Sequence, residues 1–529
     1  DPAMPEKRNV LYIVIDQLRA DVLSGALASC VPTPNIDTLA AAGAVFENHF
    51  TVTLPCGPSR ASLHTGQYAM NHRSIRNGTP LASWHTNIAL EVRRLGYEPL
   101  LFGYSDTSAD PRYRDPNDPD LATCEGVLPG FREIVEMRWE TAEQWTAHLR
   151  SHGYSVPDSA PGMNMTALYR PVGDALGGPA LYRAEHSDTA FLTDETIKAL
   201  SIRRGRPWFA HVTYIRPHPP LVAPDPWHRL VDPANIPLAV QNTLEHPFFE
   251  AWFSQPVKGL YWSFDGNYAT METRTAQTLR AIYLGLVAEV DHHIGRLLTF
   301  LRDSGQAGET LVVLTADHGD MLGDKGLWGK ESVFDPAFHV PLIVFDPVAK
   351  RPSRISAITE SVDIAPTLLD WLGGGIPASM DGKSLVPWIT GERIAGEWNT
   401  GYTPGGWRSA AFMEIEFGDP DRDTRFQRTF GLDAAQCRAA ILRDERWKYI
   451  HFAGGIAPML FDMRDDPLET RDLAASPRHA DILSAMARRM LDHRMACAAR
   501  PVQYRPQFAG LLHKQAAGKT TTESQARSG

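Results

Sequence analysis

Cysteine is scarce. The 529 residues hold five, Cys30, Cys56, Cys124, Cys437 and Cys497, odd in number, scattered, and with no paired metal-ligand spacing. That pattern argues against a disulfide framework and fits a reducing cytoplasm, the expected location. Positive charge is in deficit, with 52 Lys and Arg against 62 Asp and Glu and a formal net charge of −10. Such a chain is no general binder of nucleic acid or of anionic membranes. Any anion it takes must be captured locally, by a metal or by a few placed cations. Long apolar runs are also missing, so no segment reads as a bilayer span. The early run "VLYIVI" at 10–15 is too short for a signal segment and leads directly into charged sequence. Asp1-Pro2-Ala3 ahead of Met4 reads as a leftover of expression and is set aside.

What is present is a series of short, almost continuously apolar runs: 10–15, "PLLFGY" (99–104), "WFAHVTYI" (208–215), "TLVVLTA" (310–316) and "VPLIVF" (340–345). Their length and β-branched content predict strands covered on both faces, as in a parallel sheet. Helical patterns lie between them. The clearest spans 274–303, with Leu279, Ile282, Leu286, Val290, Ile294 and Leu297 at helical spacing and Gly305 just past its end. Strands alternating with helices predict an α/β fold, a doubly wound and mostly parallel sheet flanked by helices, reaching to about residue 385. Beyond it, short strands at 409–417, 439–444, 447–452 and 458–462 predict a small antiparallel sheet, followed by a helix near 477–497. The expected organisation is a catalytic domain 1–385, an α+β subdomain 386–500, and an extended tail 501–529 that is disordered or partner-bound. Residues 105–120 and 155–190, rich in Pro with Asp or Gly, read as covering loops.

In an open α/β sheet, ligands collect at the carboxyl ends of the strands. The first run ends in Asp16-Gln17, the fourth in Asp317-His318-Gly319-Asp320, the third in Arg216-Pro217-His218, and the second in Tyr104-Ser105-Asp106-Thr107. Asp16, Gln17, Asp317 and His318 form a mixed oxygen and nitrogen set suited to one divalent cation. An Asp at a strand end is often only a helix cap, and Asp320 reads that way. His211, inside a strand, reads as packing. His292 and His293 are adjacent on the long helix, cannot face one site together, and read as surface. His218, between prolines, is held where ligands bind. Lys330 ends the Gly-bracketed "DKGLWGK" and can reach a bound oxyanion, while Asn77 of "NHRSIRNGTP" is either a turn residue or part of the site. Cys56 sits between Pro55 and Pro58, with Ala61-Ser62-Leu63 reading as the opening of a helix. A thiol at a helix N-terminus beside Arg60 is expected to favour its anionic form.

"CGPSR" at 56–60 resembles the Cys-x-Pro-Ser-Arg signature of sulfatases, in which the cysteine is oxidised to formylglycine. "VIDQLRAD" (14–21), "TPNIDTLAAAGAVFENHF" (33–50), "TADHGDMLGDKGLWGK" (315–330) and "FDMRDDPLETRDL" (461–473) are similar to further landmarks of the alkaline phosphatase superfamily, in the expected order. Within it the chain most resembles phosphonate monoester hydrolases, through "YIRPHPP" (214–220), "MNHRSIRNGTPL" (70–81) and the pairs Asp16-Gln17 and Asp317-His318. The resemblance implies an alkaline phosphatase-like fold and a promiscuous cytoplasmic hydrolase of phosphonate monoesters, phosphodiesters and sulfate esters. It implies a hydrated formylglycine at Cys56 as nucleophile and one divalent metal ion, Mn, Ca or Zn, on Asp16, Gln17, Cys56, Asp317 and His318. Arg60 would hold the formylglycine oxygen; Lys330, Asn77 and Tyr104 would offset charge on the ester; His218, as an imidazolium, would protonate the leaving group. A formylglycine-generating enzyme is implied as maturation partner, and a homodimer or homotetramer as the assembly.

The sequence departs from the typical arylsulfatase at Gln17 and His318, and the usual Leu-Thr-Gly-Arg ending becomes His64-Thr65-Gly66-Gln67. Asp106 stands where the hydrolases carry threonine, with Thr107 adjacent. An extra carboxylate there is expected to repel a second substrate charge or to orient a leaving-group donor. The alternatives are a dedicated arylsulfatase with the same machinery, a cysteine hydrolase using a Cys56 thiolate with His218, and a non-catalytic metal-binding protein.

Overall fold

A computed structural model of the chain describes residues 8–156, 168–254, 257–258, 265–266, 271–391 and 407–498. The expected tail and part of the 155–190 stretch lie outside these described residues. The strands in chain order are β1 (Asn9–Ile15), β2 (Ala44–Phe50), β3 (Thr53–Leu54), β4 (Pro99–Gly103), β5 (Arg132–Glu136), β6 (Phe209–Tyr214), β7 (Val257–Lys258) and β8 (Asp265–Gly266). They continue with β9 (Thr310–Ala316), β10 (Leu342–Phe345), β11 (Ser353–Glu360), β12 (Ala410–Glu416), β13 (Arg438–Asp444), β14 (Trp447–Phe452) and β15 (Met459–Asp462).

Eight of them form the main sheet in the order β11-β2-β10-β9-β1-β6-β4-β5. β1 is central, parallel to β6 on one side and to β9 on the other. Every residue of β1 is buried, and its side chains alternate between two cores. Leu11, Ile13 and Ile15 pack into the core that includes the long helix Thr273–Asp303, while Val10, Tyr12 and Val14 pack with Leu63, Ile88 and Ile364 on the other face. Two covered faces remove the alternation of polar residues, which is why the strand reads as one apolar run.

The expected α/β architecture is therefore present, with differences in detail. β10, read as parallel, runs antiparallel to both β9 and β2. The connection from β9 begins and ends at the same edge of the sheet without crossing a face, and a strand returning that way must be antiparallel. β2, β5 and β11 carry partly exposed residues and so lack the apolar-run signature that marks the others. On the long helix His292 is exposed but His293 is buried, its ring beside Arg296 at 3.1 Å. Adjacent helical positions differ by about 100°, so one of the pair faces solvent while the other turns into the protein.

The smaller sheet, β15-β14-β13-β12-β3, was expected to be antiparallel and C-terminal throughout; it is mixed. Its last strand is β3, from the N-terminal part of the chain, which pairs in parallel with β12 through Thr53 opposite Glu414 and Leu54 opposite Ile415. A two-residue strand gives no periodicity to read. The pairing sets the backbone immediately before Cys56 against the C-terminal sheet.

The same sheet grips the loop that carries Lys330. Lys448 on β14 has no exposed side-chain surface and pairs with Asp335 at 2.8 Å and with Glu469. Arg443 on β13 reaches Asp335 at 3.0 Å, and Lys325 donates to the carbonyls of Leu468 and Glu469. Removing one member of such a network strands buried charge. Lys448→Met is expected to lower stability by about 3–5 kcal/mol, read as a fall in the chemical unfolding midpoint. An unchanged midpoint would show that the network contributes nothing net.

Candidate active site

The carboxyl ends of β1, β9, β6 and β4 meet along one edge of the main sheet, so four separate sequence landmarks converge. A fifth element arrives from outside the sheet. The helix Cys56–Thr65 begins at Cys56 itself, five residues earlier than the Ala61 opening read from the sequence, and all ten of its residues are buried. Gly57 at its second position lets Asn77 approach closely. A Cβ there would lie 3.0 Å from Asn77 Oδ1 and 3.5 Å from the Asp106 carbonyl. The Gly57 N–H donates to Asn77 Oδ1 at 2.9 Å, placing Asn77 at the helix N-terminus.

Around Cys56 Sγ stand His318 Nε2 at 3.2 Å and Lys330 Nζ at 2.8 Å. Lys330 also donates to Gln17 Oε1 and lies beside His218 Nε2, both at 3.1 Å. Gln17 Nε2 donates to Asp320 Oδ2 at 2.5 Å. The direction of the Gln17 amide follows from its two neighbours. A lysine can only donate and an ionised carboxylate can only accept, so the oxygen faces Lys330 and the nitrogen faces Asp320. Asp320 is a turn residue as read, since its other oxygen accepts from the Leu322 and Gly329 N–H groups. Its hold on Gln17 has no sequence signal. Gln17 adopts a left-handed backbone, φ 68°, a conformation that a residue with a side chain takes up only where surrounding contacts impose it.

The two carboxylates are fastened by Arg60. Its Nε donates to Asp317 Oδ2 at 3.0 Å, and its terminal nitrogens to Asp16 Oδ2 at 3.4 Å, Thr213 Oγ1 at 2.7 Å, the Tyr104 carbonyl at 3.3 Å and the Tyr104 hydroxyl at 3.0 Å. These contacts engage all five guanidinium N–H groups, leaving none for an oxygen on Cys56. The Tyr104 hydroxyl donates to Asp16 Oδ2, so it too is engaged with a carboxylate rather than open to an ester. Asp317 Oδ1 accepts the backbone N–H groups of Gln17 and His318. His318 Nδ1 lies 3.0 Å from the Gly319 carbonyl, which fixes its proton there and turns the Nε2 lone pair toward Cys56.

Burial dominates the electrostatics. It pushes the Cys56 thiol well above its ordinary range, Lys330 counteracts this, and Asp16, Asp317 and Asp106 reinforce it. The expected thiolate is therefore absent, because desolvation in a carboxylate-lined cleft outweighs the helix N-terminus and Arg60 lies on the carboxylates instead. Burial and the charge of Asp317 raise Asp16. Burial would raise Asp317 as well, but His318 and Arg60 outweigh it and hold Asp317 low. Burial would lower Lys330, yet Cys56 and Asp16 more than offset it and keep the ammonium charged. Burial, then Lys330, depresses His218 well below the usual imidazole value, and its Nδ1 lies 2.6 Å from the Pro219 carbonyl. His218 is thus a neutral ring accepting from Lys330, not the expected imidazolium.

Donor atoms of Asp16, Cys56, Asp317 and His318 lie within 4.8 Å of one another, all on buried residues. Asp16 Oδ1 is buried with no hydrogen-bond partner among the described residues. An orphaned carboxylate oxygen beside a second carboxylate and an imidazole lone pair is what a divalent cation would satisfy, so these residues fit one. The Gln17 amide oxygen lies at the same edge, where it accepts from Lys330. Asp106 is nearly buried, sits at φ 50°, and has its carboxyl raised to about 7, chiefly by burial. Thr107 turns away, its hydroxyl donating to the Ser105 carbonyl. Arg216, unassigned from sequence, is fully buried and donates to the carbonyls of His218 and Pro220, shaping the loop that presents His218. Trp139 packs against the His218 ring at 5.4 Å between centroids. Arg216 lies in the "YIRPHPP" stretch but has no role that the sequence assigns, and Trp139 has no sequence signal.

A protein-family model described as Sulfatase matches residues 8–374. The multifunctional alkaline phosphatase superfamily protein PehA of Trinickia caryophylli is 33% identical over 96% of this chain and 99% of its own. Among solved structures, the phosphonate monoester hydrolase SpPMH from Silicibacter pomeroyi has a TM-score of 0.85 at 48% identity, covering 93% of this chain and 96% of that one. The phosphonate monoester hydrolase of Agrobacterium radiobacter has a TM-score of 0.84 at 39% identity, with the same two coverages, 93% and 96%.

Asp320→Asn keeps the shape but offers an NH2 to Gln17, so the amide must turn its nitrogen inward. Metal affinity is expected to fall by about 10–100-fold, measured by competition with a chelating dye. Equal affinity would show that the Asp320 contact does not orient a ligand.

Proposed function

Because the chain belongs to the sulfatase family of the alkaline phosphatase superfamily and is a sulfatase-type ester hydrolase, we propose that it hydrolyses phosphonate monoesters, phosphodiesters and sulfate esters. The observation that carries this reading is the setting of Cys56, with a cluster of metal-type donors on one side and the Lys330–His218 pair on the other.

A cation on Asp16, Gln17, Asp317 and His318 would supply Lewis acidity, and conversion of Cys56 to formylglycine would supply a hydrated aldehyde as nucleophile where the thiol is held protonated. Arg60 is a positioning residue, keeping the two carboxylates converged. The Lys330 ammonium points at the position of Sγ and is the donor placed to receive a charged ester oxygen. Asn77 is exposed at the cleft, and with Oδ1 on Gly57 its NH2 remains to bind a further ester oxygen. His218 accepts from Lys330 at Nε2, and an anionic ester docked beside both groups offsets the ammonium charge and raises the basicity of that nitrogen. A proton taken there is then available to a departing alcohol or phenol.

Two carboxylate ligands leave a divalent cation roughly neutralised, which favours accepting both sulfur and phosphorus esters. Asp106 adds a carboxyl on the substrate side and favours singly charged esters. A dedicated arylsulfatase remains the second reading, because the family model matches as Sulfatase.

The first test is the mass of the Cys56 peptide from active protein. Replacement of the CH2SH group by an aldehyde or its hydrate is expected, and full activity with an intact thiol would overturn the mechanism. Turnover of a phosphonate monoester against an aryl sulfate then separates the two readings. Asp106→Asn is expected to raise kcat/KM for a dianionic phosphate monoester relative to a phosphonate monoester by about tenfold, roughly 1.4 kcal/mol. A ratio unmoved by the change would remove Asp106 from substrate selection.

A further inference from the structure

Away from the catalytic edge, His148, His152 and His186 bring one ring nitrogen each within 4.8 Å of the others. His148 lies on the helix Glu143–Ser151, His152 is that helix's C-cap, and His186 closes the short 3-10 turn Ala184–His186. The ring centroids of His152 stand 4.3 Å from His148 and 4.1 Å from His186. None of the three is used by the chemistry described above.

The arrangement around the rings is that of ligands rather than of packing alone. His152 Nδ1 lies 2.9 Å from the His148 carbonyl, which takes its N–H and leaves the Nε2 lone pair free. His186 Nδ1 lies 2.8 Å from the Tyr154 hydroxyl, a contact that fixes the orientation of the ring. The His186 backbone is itself pinned, its carbonyl accepting from Trp145 Nε1 at 2.8 Å. His148 Nε2 is buried with no hydrogen-bond partner among the described residues. A ring whose far nitrogen is tied to a carbonyl or hydroxyl is the usual state of a metal-bound histidine. Three imidazoles without a carboxylate or thiolate suit Zn, Cu or Ni rather than Ca or Mg.

We propose that His148, His152 and His186 form a second metal site, separate from the catalytic one, that takes a Zn2+ ion with water completing the coordination. The ion joins the helix Glu143–Ser151 to the turn before the helix Asp188–Ser201. Trp145 of the first helix stacks on Tyr169, Tyr169 on Trp139, and Trp139 packs against His218. The clip therefore braces the aromatic wall on the far side of His218 without contributing to the reaction.

The test is equilibrium dialysis of the full chain against Zn2+, with bound metal counted in wild type, His152→Ala, His148→Ala and Asp317→Asn. Wild type is expected to hold two equivalents. His152→Ala, at an exposed position, is expected to lose one equivalent or bind it at least tenfold more weakly. It should also lose the rise in thermal midpoint that the second equivalent gives wild type, while turnover stays within twofold. Asp317→Asn should lose the other equivalent and retain this one. The proposal is overturned if wild type holds one equivalent that Asp317→Asn abolishes. It is equally overturned if neither His152→Ala nor His148→Ala changes the count or the affinity.

Discussion

Two carboxylates aimed at one point repel each other, and in a site with no exposed surface that repulsion is not screened by water. Arg60 is what makes the arrangement stable. Its side chain has no exposure, its Nε lies 3.0 Å from Asp317, and a terminal nitrogen lies 3.4 Å from Asp16. The guanidinium is planar and permanently charged, so it holds both oxygens at once where a lysine would offer one point of contact. It leaves Asp16 Oδ1 without a hydrogen-bond partner among the described residues. The helix Cys56–Thr65 thus does two jobs within a turn and a half, presenting Cys56 at its first residue and neutralising the opposing carboxylates from its fifth.

That helix depends on the far part of the chain. β3 ends two residues before Cys56 and is hydrogen-bonded to β12, so the approach to the helix is set by the smaller sheet. The same sheet, through Lys448, Arg443 and the Asp335–Glu469 pair, fixes the loop bearing Lys330. Lys330 and Cys56 lie far apart in sequence and touch at 2.8 Å because one sheet sets the approach to both. The smaller sheet is therefore part of the catalytic geometry although none of its own residues reaches the cleft described above.

Burial accounts for the main chemical differences between expectation and structure. A cysteine at a helix N-terminus beside an arginine reads as an anion, and a histidine between prolines at a strand end reads as a cation. In the folded chain both are neutral, because desolvation penalises either charge. Lys330 remains charged in the same place because it donates to Cys56 Sγ and the carboxylates of Asp16 and Asp317 stand beside it. One protonated lysine between a neutral thiol and a neutral imidazole is a different starting state from an ion pair of thiolate and imidazolium, and it disfavours a cysteine hydrolase.

The sequence by itself determined the residues and their places on the backbone. Apolar runs marked β1, β4, β6 and β9, and the polar residues just past each run are those that meet at the sheet edge, because parallel strands buried on both faces all deliver their carboxyl ends to one side. The Cys-x-Pro-Ser-Arg stretch marked Cys56, which heads a buried helix at that edge. Only the tertiary structure decided direction, partnership and charge. It reversed β10, recruited β3 into the smaller sheet, buried His293, gave Asp320 its hold on Gln17, and turned Arg60 from the nucleophile to the carboxylates. Each of these rests on contacts between residues distant in sequence, and on a loss of water that no local pattern of residues records.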